Sequence, residues 1–427
     1  MKKTLIITYY WPPAGGPGVH RWLKFVKYLP DFQIEPIVYI PKNPTYPIED
    51  KSLLEEVSPD LKIIKKPIFE PYKLANLLSK KKTNQFSSGI INPQKEQTFT
   101  QKTLLGIRGN IFIPDARKFW INPSVKFLHE YLKENKIDTI ITTGPPHSVH
   151  LIGLKLKQKL NLKWIADFRD PWTKMWYFDQ LRLKDFAKKK HEKLEKKVLQ
   201  NADYIITTTE NVKNEFAKLT SKPIKVITNG FDDHINSSSD LLDKKFTISH
   251  IGSFFSIENL AVLWEVLAEL INENQDFKNS FQLNLIGKNN PELLEKLKEK
   301  NLINFTKNYG YLPHKKVLEK QRKSQVLLLQ YTNEKIKGII PGKLFEYLNA
   351  KRPILAIGPK DWEVKKIIEK TNSGFCFSFQ DKKEIKAVLL KYFHDFQQKK
   401  LKVNSENIQQ YHRKNLTKKL SKIIKDF

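Results

Sequence analysis

Short apolar runs alternate with helical-period segments almost from one end of this chain to the other, and few folds accommodate that rhythm. Strand-like runs fall at 4–9, 36–40, 61–64, 139–142, 164–166, 204–207 and 224–227, then again at 246–251, 281–286, 303–309, 326–330, 353–357 and 375–379. Amphipathic stretches separate most of them; the first carries Val19, Trp22, Leu23, Val26 and Leu29 at helical spacing. Such alternation predicts mostly parallel sheets covered by helices on both faces. The polar run Asn236-Ser237-Ser238-Ser239-Asp240 divides the pattern into two halves. The expectation is therefore α/β, with two doubly wound domains. Gly16, His147, Asp167, Arg169, Asn229, Gly252, Gly287 and Glu346 fall at or just beyond predicted strand ends. Open parallel sheets bind ligands at those carboxyl ends, so the expected site lies between the two halves.

Composition narrows the function classes. A length of 427 residues suits two to three domains, and 40% hydrophobic with 11% aromatic residues supplies real cores. The single cysteine, Cys376, rules out a disulfide framework and a thiolate metal cluster. No run approaches the ~18 apolar residues of a membrane span, and the N-terminal apolar run ends in Trp11-Pro12-Pro13 without a cleavage-type sequence. A cytoplasmic protein is expected. The net charge of +30 comes mainly from lysines spread along the chain. That distribution fits a compositional bias as well as it fits a binding surface. It lacks the clustered basic face and stacking aromatics of a nucleic-acid binder, so no nucleic-acid partner is expected. An anionic membrane surface stays open as a partner, with the protein peripheral on the inner face of the plasma membrane.

Four stretches carry local signals. Gly15-Gly16-Pro17-Gly18 follows the first strand, where backbone comes close to ligands in doubly wound folds; a plain tight turn is the alternative. Residues 80–110 are polar and read as a long mobile loop. Residues 112–121 mix aromatic and basic side chains, suited to a lipid interface or to a loop packed on the core, and a long basic helix is expected over 174–201. The most informative stretch is 338–359, where a short helix is expected to start near Pro341. Its free N-terminal amides beside Gly342, followed by Lys343, make an anion site. Glu346, one turn on, is placed to accept from hydroxyls such as a ribose. An ordinary charged surface helix is the competing reading.

Taken in order, these motifs resemble the retaining glycosyltransferases of the GT-B fold, the large bacterial family-4-like group active in surface-polysaccharide assembly. The resemblance spans nearly the whole chain. It rests on Pro12-Pro13 with Gly15-Gly16, Thr143-Gly144-Pro145-Pro146-His147-Ser148, Asp167-Phe168-Arg169-Asp170-Pro171-Trp172 and Ile227-Thr228-Asn229-Gly230-Phe231-Asp232. Gly310-Tyr311-Leu312-Pro313-His314 and Pro341-Gly342-Lys343-Leu344-Phe345-Glu346-Tyr347 complete it. It implies two Rossmann-like domains facing across a cleft: an acceptor-side domain over 1–235, a nucleotide-sugar-binding domain over 236–400, and a helix over 401–427 packing back on the first.

By this resemblance a nucleotide-diphosphate sugar is the co-substrate and no other cofactor is needed. Glu346 would hold the donor ribose, Lys343 and the amides near Gly342 the diphosphate, with Gly252 and Asn229 also on the donor side. Gly15 and Gly16 would line the cleft, His147 would lie near the transferred sugar, and Asp167 and Arg169 would face the cleft. Read from the residues alone, His147 could instead cap or pack, and Asp167 and Arg169 could form a structural ion pair. The chain departs from the family pattern at Gly338, where many relatives carry a second glutamate, and around Gly252, where many carry a basic pair. Lys288, Lys335 or Lys337 are substitutes for that pair. No Asp-x-Asp pair stands at a strand end, so metal-independent transfer with retention is expected, to a lipid-linked or glycan acceptor. The rival readings are a nucleotide-sugar 2-epimerase of the same architecture and a non-catalytic sugar-nucleotide-binding protein.

Overall fold

The computed structural model describes residues 1–70, 106, 108–175, 178, 181–233, 241–252, 254, 260–331 and 338–426. Most of the loop expected at 80–110, the 236–240 segment, Ser253, Phe255, Ser256, Lys335 and Lys337 lie outside the described residues. The chain divides into two compact units, Met1–Asn229 with Arg413–Phe427, and Gly230–His412.

Unit 1 is built on seven parallel strands: β1 (Lys2–Ile7), β2 (Ile34–Pro41), β3 (Lys62–Lys66), β4 (Thr139–Gly144), β5 (Lys163–Phe168), β6 (Tyr204–Thr207) and β7 (Ile224–Val226). Their order across the sheet is β3-β2-β1-β4-β5-β6-β7. The helices are α1 (Pro17–Tyr28), α2 (Ile121–Glu134), α3 (Ser148–Lys159), α4 (Asp185–Asn201) and α5 (Glu210–Ala217). Period-two alternation puts Leu5 and Ile7 in one core and Ile6 in the other, so both faces of β1 are covered. The C-terminal helix Arg413–Lys425 belongs to this unit. Its Leu416, Leu420, Ile423 and Ile424 share a core with Val19, Trp22, Leu23 and Val26 of α1.

Unit 2 has six parallel strands: β8 (Phe246–Ile251), β9 (Phe281–Ile286), β10 (Thr306–Gly310), β11 (Val326–Gln330), β12 (Ile354–Ile357) and β13 (Gly374–Phe377). Their order is β10-β9-β8-β11-β12-β13. Its helices are α6 (Ala261–Glu273), α7 (Gln275–Ser280), α8 (Pro291–Glu299), α9 (His314–Lys323), α10 (Lys343–Ala350), α11 (Glu363–Lys370) and α12 (Lys382–Gln397). Leu328 faces one core and Leu327 and Leu329 the other, the same two-sided burial as in unit 1.

Each sheet reverses its strand order once, between β1 and β4 in unit 1 and between β8 and β11 in unit 2. Those reversals open the two crevices where an open parallel sheet receives a ligand. Three elements depart from the sequence reading. The basic helix starts at Asp185 rather than Lys174, and the segment before it is tied to the helix: Glu195 of α4 accepts from the backbone N–H groups of Trp172 (2.9 Å) and Thr173 (3.2 Å). The strand expected over 303–309 starts at Thr306, after a 3-10 turn at Ile303–Phe305. The helix expected from Pro341 begins at Lys343, with the Pro341 and Gly342 carbonyls accepting from Leu344 (3.0 Å) and Phe345 (3.2 Å). Among the described residues no helix is long and apolar enough to cross a membrane.

Candidate functional site

In unit 2 the β8–β11 reversal brings Gly252, Gln330 and the start of α10 together. Gly252 has φ +110°, a conformation that favours glycine, and a Cβ there would come 3.2 Å from Lys343 Nζ. The Lys343 ammonium donates to His250 Nε2 at 3.1 Å, and Gln330 Nε2 approaches the same atom at 3.5 Å. Burial lowers Lys343 from 10.5 to about 8, against an upward pull from Glu346. Burial, and then the neighbouring lysine charge, hold His250 neutral, well below its ordinary value. One turn along α10, Glu346 accepts from Gln321 (3.0 Å) and contacts His314 Nε2 at 3.4 Å. Its side chain is 28% exposed. The amides expected to be free at this helix start exclude those of Leu344 and Phe345, which bond to Pro341 and Gly342; those of Gly342 and Lys343 have no bond among the described residues.

In unit 1 the β1–β4 reversal brings together the glycine-rich loop and the turn that starts at Gly144. Gly15 donates its N–H to Ile48 (3.0 Å), and Gly16 precedes α1 with φ +106°. Gly18 has a role that the spacing did not reveal. A Cβ on it would fall 1.3 Å from an Arg169 guanidinium nitrogen, so the arginine head occupies the space of the absent side chain. Arg169 also donates from Nε to the Gly144 carbonyl (3.1 Å) and from a terminal nitrogen to the Pro145 carbonyl.

Asp167 does not face open space. It is fully buried, and its ion-pair partner is Arg21 (2.9 Å) rather than Arg169. Trp22 Nε1 (2.7 Å) and Thr143 Oγ1 (2.9 Å) donate to the same carboxylate. Burial alone would raise the Asp167 pKa. Arg21, through charge and hydrogen bonds, and the Trp22 bond outweigh it and hold the group below the usual carboxylate value. Arg21 also donates to the Thr228 carbonyl at 2.8 Å. This ties the segment leading to half-buried Asn229 to α1 and β5.

His147 is 6% exposed, and neither ring nitrogen has a hydrogen-bond partner among the described residues. It does not cap α3; Asp115 does, accepting from Ser148 N (2.9 Å) and Oγ (2.5 Å). The imidazole stacks on Trp172 at 4.8 Å and 2°. Burial, followed by the neighbouring His150, Arg169 and His191, keeps it neutral. Trp172 is itself held by α4: its indole N–H donates to His191 Nδ1 (3.0 Å) and its backbone N–H to Glu195. His191 and Glu195 are four residues apart on one helix face, a sequence signal that had been legible but unused. Residues 112–121 are in part a packed loop. Asp115 caps α3, and Trp120 stacks on Tyr39 at 5.1 Å. Ile111, Phe119 and Phe69 are nevertheless 59%, 42% and 56% exposed, with Lys118 over the Phe119 ring. Lys288 is exposed at the end of β9, while Lys335 and Lys337 fall outside the described residues.

Comparison with known proteins bears on the architecture. Residues 90–234 match the family model described as Glycosyltransferase Family 4. A sucrose-phosphate synthase from Thermosynechococcus elongatus superposes with a TM-score of 0.61 at 13% identity, over 100% of this chain and 99% of that one. The structure of Anabaena HepE in complex with UDP-glucose gives 0.61 at 12% identity, over 100% of both chains. The chain has the GT-B fold. The same fold extends to a putative UDP-N-acetylglucosamine 2-epimerase from Listeria monocytogenes, with a TM-score of 0.54 at 14% identity over 100% of this GT-B chain and 96% of that one. No curated protein sequence matches the chain.

Proposed function

We propose that this protein transfers a sugar from a nucleoside-diphosphate sugar to an acceptor hydroxyl. The observation that carries the reading is the unit 2 crevice. A lysine ammonium lies against a glycine of positive φ, and a partly exposed glutamate side chain follows one turn later on the same helix. A diphosphate suits the cation and a ribose suits the carboxylate. The family match over 90–234 and the UDP-glucose complex of a GT-B neighbour support the same class of donor.

Glycosyl transfer passes through an oxocarbenium-like state in which the leaving diphosphate gathers charge. Lys343 and the Gly342 and Lys343 amides are the preorganised donors for that charge. In unit 1, His147 is neutral and without a hydrogen-bond partner among the described residues, suited to exchange a hydrogen bond with a sugar hydroxyl, and Arg169 supplies a cation beside the glycine loop. Asp167 positions α1 and contacts no substrate in this reading. Retention, metal independence, a hexosyl donor and a lipid-linked or glycan acceptor complete the proposal. So does a cytoplasmic protein with peripheral contact to an anionic membrane, supported by the +30 charge and by the exposed aromatics around Lys118.

The test starts with thermal shift against UDP-, GDP- and dTDP-sugars. It continues with donor titration of Glu346→Ala, whose Kd is expected to rise more than about tenfold, or ~1.4 kcal/mol. An unchanged Kd would refute the ribose assignment. Nucleoside diphosphate released only when a glycan or polyprenyl acceptor is added supports transfer. Sugar interconversion without acceptor would instead support the epimerase reading. Turnover in excess chelator, the anomeric configuration of the product by NMR, and sedimentation with phosphatidylglycerol vesicles test the finer claims.

A further inference from the structure

We infer that His250 is a positioning residue for Lys343: as a neutral acceptor it fixes the ammonium against Gly252 without adding a counter-charge of its own where a diphosphate would bind. The inference rests on the donor-binding reading above and adds a residue and a mechanism to it.

The argument begins with hydrogen-bond chemistry. A lysine ammonium has three donors and no acceptor, so the 3.1 Å contact requires a lone pair on His250 Nε2. The imidazole proton therefore sits on Nδ1, which is buried and has no hydrogen-bond partner among the described residues. Gln330 Nε2 lies 3.5 Å from the same atom, a longer approach that agrees with an acceptor there. The ring is wholly buried and held edge-to-face by Phe254, with centroids 4.7 Å apart at 66°. It has little freedom to turn its other nitrogen toward the lysine.

The charge balance follows. The carboxylate on the same helix, Glu346, is directed to Gln321 and His314, with no ion pair to Lys343 among the described residues. The side chain that orients Lys343 is thus uncharged. An acidic residue at position 250 would orient the ammonium equally well, but it would cancel the charge and repel an arriving phosphate. An apolar residue would leave the charge and lose the orientation. A neutral acceptor does both jobs.

Three substitutions separate these effects: His250→Gln keeps a neutral acceptor, His250→Met keeps volume without one, and His250→Glu adds a charge. Affinities for UDP, GDP and dTDP, and for the corresponding nucleosides, are measured by calorimetry on the full chain. His250→Gln is expected to stay within about threefold of the parent for the diphosphate. The Met and Glu variants are expected to weaken it about tenfold or more, the scale of a hydrogen bond to a charged group. All three should leave nucleoside affinity unchanged. Equal behaviour of the Gln and Met variants would overturn the inference, because a packing role alone treats them alike.

A second measurement needs no nucleotide. The rate at which an acylating reagent labels Lys343 at neutral pH should fall about tenfold or more in His250→Glu, whose carboxylate stabilises the ammonium, and stay near the parent in His250→Gln. An unchanged rate in His250→Glu would show that side chain 250 does not hold Lys343. If labelling responds as expected but no nucleoside diphosphate binds the parent, the local geometry survives and the donor-binding reading, with the diphosphate role of His250, falls.

Discussion

Replacing Asp167 by Asn distinguishes a structural carboxylate from a reacting one. The wild-type carboxylate is fully buried and receives four contacts: Arg21 at 2.9 and 3.4 Å, Trp22 at 2.7 Å and Thr143 at 2.9 Å. Three of these reach Oδ2 and only one reaches Oδ1, so the Asn amide group settles at the Oδ1 position. There it faces an Arg21 donor. The guanidinium, 2% exposed, keeps its bond to the Thr228 carbonyl but loses its counter-charge. Removing one partner of a buried pair costs about 3–5 kcal/mol, and the retained Oδ2 contacts place this variant near the lower end. Against a domain stability of about 5–15 kcal/mol the protein still folds. Hydrogen exchange read by mass spectrometry should show the slow amides of β4 and β5 exchanging roughly a hundredfold faster, with β8 and β11 of unit 2 unchanged as the internal reference. The double variant Arg21→Met with Asp167→Leu should recover much of the protection, since it removes both charges at once. Exchange unchanged in Asp167→Asn, together with a collapse in transfer rate, would refute the argument and make Asp167 a reacting group.

Three further outcomes follow from the same geometry. Gly18→Ala forces the Arg169 head out of its place, so kcat/KM should drop about tenfold or more while Tm moves by no more than about 2 °C, because alanine suits a helix start; an unchanged rate would show that Arg169 is not needed there. Donor affinity should decline as pH rises through about 8, because burial lowers Lys343 to that value and deprotonation removes the cation; the decline should vanish in Lys343→Met, and a flat parent profile from pH 7 to 9.5 would contradict the assignment. Deleting residues 413–427 removes Leu416, Leu420, Ile423 and Ile424, whose burial is worth about 1.5–3 kcal/mol each, and uncovers the α1 face they share with Val19, Trp22, Leu23 and Val26, so unit 1 should become protease-sensitive; retained resistance would show that the helix is dispensable.

The parallel architecture was legible because its cause is local: each strand carries its own apolar run and each helix its own stripe. The Lys343–Glu346 pair was legible for the same reason, lying three residues apart on one helix. What stayed hidden depends on distance along the chain. Arg21 and Asp167 are 146 residues apart and Lys343 and His250 are 93 apart, and neither partner carries a local mark of the other. The start of α4 was misplaced for a related reason. Lysines at 174 and beyond favour a helix, whereas the contact of Glu195 with the amides of Trp172 and Thr173 joins residues 23 and 22 apart and has no local mark. Gly18 was visible as a glycine, though only the position of Arg169 explains why a glycine is needed there.

The return of the last helix to unit 1 sets an order of assembly. All of unit 2 is synthesised before Leu416, Leu420, Ile423 and Ile424 leave the ribosome. Unit 2 has its complete sequence while unit 1, begun first, still shows the bare flank of α1. For that interval the nascent chain exposes Val19, Trp22 and Val26 with no lid of its own. A chaperone that covers apolar helix surfaces would therefore find its binding site on α1, and would be displaced once the helix Arg413–Lys425 has emerged.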